Sequence, residues 1–302
     1  MSESTMLNQQ RLRRRALPFL TGFLFSSLFA GMALAWVAVS DARNEGASPK
    51  VDQRELSLRH AHNLRVSSQV LSRLAGEAID GRADSFEALK LEFESMEQAI
   101  AYLRESEFVT STAEFSEVSS IWSRMRMDVD AIMDARTDVL SMYESSDRFI
   151  LAALNVEIRS TDLIHAMFDN GSAASQTFIA SQQVRLANRM AQRMSNIRAG
   201  TDQREAITRD ALVFAKVLEG FRVGNPDFGV VGLSGGALIA LNPVEAVFRE
   251  LEQAREGTLE VAPKFLQARS SLEVLSGEAV VFLEQANMLV DSIYDSGSLS
   301  AS

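Results

Sequence analysis

Apolar residues recur along this chain at alternating steps of three and four. Phe86, Leu89, Phe93, Met96, Ile100 and Leu103 follow that rhythm, and so do Val118, Trp122, Met125, Val129 and Ile132. Phe265, Ala268, Leu272, Leu275, Ala279, Phe282, Ala286, Leu289 and Ile293 sustain it over four heptads. A repeat averaging about 3.5 residues lays a narrow apolar stripe along a helix, and only other helices can bury it. No segment alternates with period two for long enough to argue for a strand. The pattern predicts an all-α fold of long, antiparallel, heptad-patterned helices.

The first forty residues break the pattern. Residues 16–40 contain no charge, and a helix of that length, at about 1.5 Å per residue, exceeds a hydrocarbon core of about 30 Å. Arg11, Arg13, Arg14 and Arg15 precede the stretch, while Asp41, Arg43 and Glu45 follow it. The excess of arginine on the leading side predicts a cytoplasmic basic N-terminus over residues 1–15 and export of the remainder. Ala33-Leu34-Ala35 resembles a signal-peptide cleavage site, but the apolar stretch is longer than the usual core of about 7–15 residues. A retained transmembrane helix is therefore expected, giving a single-pass protein of the inner membrane with the bulk of the chain periplasmic. Residues 41–51 read as a polar linker, with helix resuming near Asp52.

Beyond the linker one order of features occurs twice. The helix around Leu64-Arg65-Val66 aligns with Val184-Arg185-Leu186 at an offset of 120. Phe86, Phe93, Met96 and Ile100 fall against Ile207, Phe214, Val217 and Phe221 at 121, and Val118 and Trp122 against Val244 and Phe248 at 126. Two tandem helical-bundle modules are expected, over residues 52–170 and 175–295, with a tail at 296–302. The second carries an insertion over residues 223–243 rich in glycine, including Gly224, Gly229, Gly232, Gly235 and Gly236. It lacks the G-x-x-x-x-G-K-[ST] phosphate loop and contains no basic residue. Two readings stay open for it: a partner-contact loop around Gly224, Asn225 and Gly229, or a mobile connection between helices.

Composition narrows the chemistry. Lys+Arg number 30 against Asp+Glu 40, a formal charge of −10, which is the wrong sign for gripping nucleic acid. Cysteine is absent and histidine is limited to His60, His62 and His165, so thiolate chemistry is excluded. A bundle di-metal site needs Glu-x-x-His twice, whereas Asp162-x-x-His165 occurs once. His60 and His62 are two apart and fall on different helix faces. No enzyme, metal or cofactor is expected. Arg185, Arg189 and Arg193 form a basic face at i, i+4 spacing, either an anion site or a solvated stripe paired with neighbouring acids.

The segment Leu64-Arg65-Val66-Ser67-Ser68-Gln69-Val70-Leu71-Ser72-Arg73 resembles the L-R-x-x-S-Q-x-x-x-K/R helix that opens the sensing module of PilJ-type receptors. These are the methyl-accepting chemotaxis transducers of type IV pilus systems. Gln182 to Ala191 looks like the repeated partner helix, and Gly224-Asn225 through Gly229-Val230 is similar to that family's break. The resemblance implies a membrane-anchored periplasmic sensor for pilus-linked chemosensing or twitching, a homodimer, and pilin or other pilus components as partners. Related modules in nitrate/nitrite sensor kinases imply an alternative, small-anion recognition through Arg65 and Arg185, with Arg189 beside them, at a dimer interface. A structural envelope scaffold is a third reading. Such receptors continue into a second membrane helix, a HAMP linker and a signalling coiled coil. This sequence stops at Ser302, and the expectation is a partial receptor or a stand-alone sensor domain without its own signalling part.

Overall fold

The computed structural model describes residues 49–298. The expected transmembrane helix at 16–40 and the residues after 298 lie outside that range. Among the described residues no helix is long and apolar enough to cross a membrane.

Seven α-helices account for almost all of it: α1 (Pro49–Ile79), α2 (Ala83–Glu105), α3 (Ala113–Asp134), α4 (Arg136–Asp169), α5 (Ala174–Arg198), α6 (Arg204–Val223) and α7 (Gly235–Ser298). The only other elements among the described residues are a 3-10 turn, Pro226–Phe228, and one isolated bridge between Asn225 and Val230. The all-α expectation holds. Helix resumes at Pro49, slightly ahead of Asp52, because proline at a first helical position gives up an N–H that has no partner there anyway. At the start of α3, Thr112 accepts a hydrogen bond from the Phe115 amide at 3.3 Å, and Glu114 sits in the first turn, where the helix dipole favours an acid.

Helix α7 is the longest element, at 64 residues, roughly 96 Å at 1.5 Å per residue. Helices α3 and α4 approach the same length together, separated only by Ala135 at φ −82°, ψ 3°. The two long stretches run antiparallel. Arg124 of α3 meets Glu278 at 2.9 Å, Asp138 of α4 faces Lys264 at 3.4 Å, and Ser145 lies against Gly257. Pro263 lies inside α7 close to the repeat equivalent of Ala135, so the helix continues there without one backbone donor while the other stretch is interrupted at Ala135.

The heptad seams are buried as expected. Leu89, Met96, Leu103, Val118, Met125, Val129 and Ile132 have no exposed surface, nor do Phe265, Leu275, Phe282, Ala286, Leu289 and Ile293. Phe93 and Leu272 are partly buried at the seam edges. The C-terminal part of α7 meets α3 through Trp122 and Phe282 and α1 through Ser72 and Ser276. Its N-terminal part meets α6 through Phe248 and Phe214. Helix α4 packs on both α5 and α7, so contacts run between residues 52–170 and 175–295 along much of their length. The aromatic pair Phe93–Trp122 (centroids 5.5 Å apart) recurs as Phe214–Phe248 (4.7 Å) at repeat-equivalent positions.

Candidate functional site

Arg65 projects from α1 half-buried. One guanidinium nitrogen donates to Nδ1 of His62 at 3.2 Å, which makes that ring nitrogen the acceptor. Its Nε is buried without a hydrogen-bond partner, a state that ordinarily costs about 1–3 kcal/mol. The His62 ring packs edge-on against Tyr294 near the end of α7 (centroids 6.4 Å apart). His60 points the other way and stacks on Tyr102 of α2 at 4.3 Å, and burial holds its imidazole below the usual range.

Arg185 is exposed on α5. One turn on, Arg189 makes two hydrogen bonds to Asp210 of α6, at 2.9 and 2.8 Å, and Arg193 reaches the same carboxylate at 3.1 Å. Asp210 is only 6% exposed. A diffusing anion at Arg189 would therefore compete with a buried carboxylate already held by two guanidinium groups. Arg65 and Arg185 are not brought together: α1 meets the C-terminal part of α7, whereas α5 packs on α4 and α6.

The glycine-rich connection is shorter than expected. Residues 235–243 already belong to α7, with Pro243 inside the helix, so the loop proper covers residues 224–234. It is bonded to α5 at its middle and to the end of α4 just past its last residue. Gln176 of α5 donates to the Gly229 carbonyl and accepts from the Val231 amide, both at 2.9 Å. Asn170, at the end of α4, accepts from the Gly236 amide at 3.1 Å and so satisfies one free donor at the start of α7. Gly224 (φ 89°) and Gly229 (φ 63°) supply the left-handed turns, and the Asn225 side chain caps the 3-10 turn. Gln176 and Asn170 give this connection partners that spacing within the loop could not reveal.

A further cluster was not anticipated. Tyr143 of α4 lies beneath the Arg198 guanidinium at 4.4 Å, and Arg198 also pairs with Asp147. Arg269 of α7 bridges to Asp80 at the end of α1. Burial raises the Tyr143 phenol above its usual range, with the Asp80 charge adding to it and Arg269 and Arg198 opposing. Two helix turns converge on this cluster. A Cβ on Gly81 (φ 89°) would stand 2.8 Å from the Tyr143 ring, and one on Gly200 (φ 97°) 3.3 Å from Arg269. The signal available in the sequence was a glycine ending the first helix of each repeat. Among the described residues, no group of three or more His, Asp or Glu side chains is placed to hold a metal ion.

No protein-family model matches the chain. The methyl-accepting chemotaxis protein AlkN of Alcanivorax borkumensis is 22% identical over 269 residues, covering 87% of this chain and 40% of that protein. Protein PilJ of Pseudomonas aeruginosa is 24% identical over 245 residues, covering 77% of this chain and 36% of that protein. The chain thus spans about two fifths of the length of the curated relatives it matches. The resemblance to PilJ-type chemotaxis transducers is borne out over most of the chain.

Proposed function

We propose that this chain is the periplasmic sensing region of a chemoreceptor working with type IV pili, held in the inner membrane by residues 16–40 and acting as a homodimer without catalytic activity. The observation that carries this reading is α7 in the context of the PilJ likeness. A single helix begins beside the 224–234 loop, passes the Tyr143–Arg269 cluster and ends beside α1, the helix that follows the apolar stretch. On this reading the helices form two four-helix bundles that share the two long stretches, α3–α4 and α7.

A partner docking at the loop end, with pilin or another pilus component as the proposed occupant, favours one of two packings of α7 against α3 and α4. Only a difference in affinity between those packings moves the equilibrium. The weak points at Ala135 and Pro263 lie where such a displacement is easiest to absorb. Deleting the gene should impair twitching and pilus-linked signalling, and normal behaviour in both overturns the proposal.

One observation favours a second reading. The buried, unpartnered Nε of Arg65 is a donor suited to a small oxyanion such as nitrate. Calorimetry of the chain with nitrate and nitrite should give heat that is lost in Arg65→Ala. An unchanged signal in that variant removes this reading and leaves the first intact.

A further inference from the structure

Helix α4 carries two seams, and only one is used. The inner seam runs Val139, Met142, Ser146, Phe149, Ala153, Val156, Ser160, Leu163 and Met167, all of them buried. About 140° around the helix, at 3.6 residues per turn, lies a second row with the same spacing: Leu151, Leu154, Ile158, Thr161, His165 and Phe168. All six are exposed, and the apolar ones are open by 60, 51, 49 and 78% in chain order. Scattered surface leucines need no explanation, but a row in heptad register over consecutive turns does.

We infer that this outer face of α4 is the surface through which two copies of the chain pair. The inference rests on the homodimer reading above and names the face it uses. In heptad terms Leu151, Ile158 and His165 occupy the a positions, and Leu154, Thr161 and Phe168 the d positions. A β-branched residue at a with leucine at d favours a two-stranded pairing, and polar residues at single core positions fix its register. Part of the charge along the seam is neutralised within each copy: Arg148 pairs with Glu144 at 2.8 Å and Arg159 with Asp162 at 3.2 Å. Two like copies can therefore approach there despite a net charge of −10 each.

Beside Leu151 a groove of about 360 Å³ opens between α4 and α7, floored by Ala152, Ala254 and Gly257, so ridge and hollow are both present on one face. The four apolar side chains offer on the order of 400 Å² per copy, and the groove walls bring a pair toward the roughly 1,200 Å² at which stable interfaces begin. The rival row on α7, Val274, Val281 and Met288, is interrupted by exposed Gly277 and Glu284. It cannot form an unbroken seam.

The chain has no cysteine, so single introduced thiols report unambiguously. Leu154→Cys and Thr161→Cys in the full chain in membranes should each form a covalent dimer on mild oxidation, with Ser195→Cys on α5 giving only background. Leu154→Glu combined with Ile158→Glu should weaken self-association about tenfold or more while helicity and melting temperature hold, both positions being exposed. A wild-type chain that stays monomeric at every concentration overturns the homodimer reading and this face together. A dimer that survives the double substitution, with no cross-link at either thiol, overturns the face alone. If the double variant melts early, the thiol cross-links decide.

Discussion

The two halves of the repeat share an order of elements and differ in how they hold their second helix. In α1–α2, the contact near the hairpin's middle is apolar: Leu89 is fully buried, with Gln69 and Arg73 on the facing helix and Arg73 turned to Glu77 on its own. In α5–α6 the equivalents are Asp210, Arg189 and Arg193, and the same place is a buried carboxylate held by two guanidinium groups. The aromatic pair beyond it is common to both halves. One hairpin is closed by hydrophobic contact and keeps Arg65 with an idle buried donor, while the other spends Arg189 and Arg193 on latching itself and leaves Arg185 exposed.

The sharpest way to break this contrast is to remove the latch and the idle arginine in parallel. Asp210→Ala should cost about 2 kcal/mol, because two guanidinium groups lose the carboxylate they were arranged around. The figure is held down because Arg189 is 55% exposed and water takes up part of the loss. Arg65→Leu should be neutral or slightly stabilising, since it removes a buried donor that has no acceptor. Chemical denaturation of both variants checks this. Equal losses would mean that the two arginine faces do the same structural work.

Next in size comes a difference between the two turns at the central cluster. Gly81→Ala and Gly200→Ala each place a Cβ on a left-handed backbone, which costs roughly 1 kcal/mol. At Gly81 the new methyl meets the Tyr143 ring at 2.8 Å, whereas at Gly200 it meets the flexible Arg269 stem at 3.3 Å. Gly81→Ala should therefore lower the melting temperature more. The reverse order would show that Tyr143 has room to move, and that the cluster is looser than its cation–π and ion-pair contacts suggest.

Much of the fold was legible because heptad spacing is a property of one helix at a time. Val118 to Ile132 and Phe265 to Ile293 could be placed on a buried seam without knowing what they faced. Which helices face each other was not legible: nothing in the spacing says that Arg124 meets Glu278 or that Gly257 packs on Ser145. The anchors of the 224–234 loop were hidden for the same reason, since Gln176 and Asn170 lie far away in sequence. The Arg185–Arg189–Arg193 face was visible as charge, but its partner Asp210 sits in an otherwise apolar stripe and gave no sign of being buried. The outer row of α4 was masked by the inner one, because overlapping seams read as a merely hydrophobic helix.

The smallest expected effect concerns protons and again separates the halves. His60 packs on Tyr102 with its pKa depressed by burial, while the equivalent position in α5 is Ala180, buried and without a proton to exchange. A depressed imidazole favours folding in its neutral form. Its contribution is complete above the ordinary value of about 6.5 and is lost as pH falls from there through the lowered folded value. Acidification across that window should lower the melting temperature slightly in the wild type, and His60→Gln should flatten that part of the curve. Hydrogen exchange locates the change: amides of α1 and α2 should open first, with α5 and α6 still protected by a carboxylate–arginine latch that carries no histidine. Opening that begins in α5–α6, or an unchanged slope in His60→Gln, would place the acid-sensitive group elsewhere and remove this distinction between the two halves.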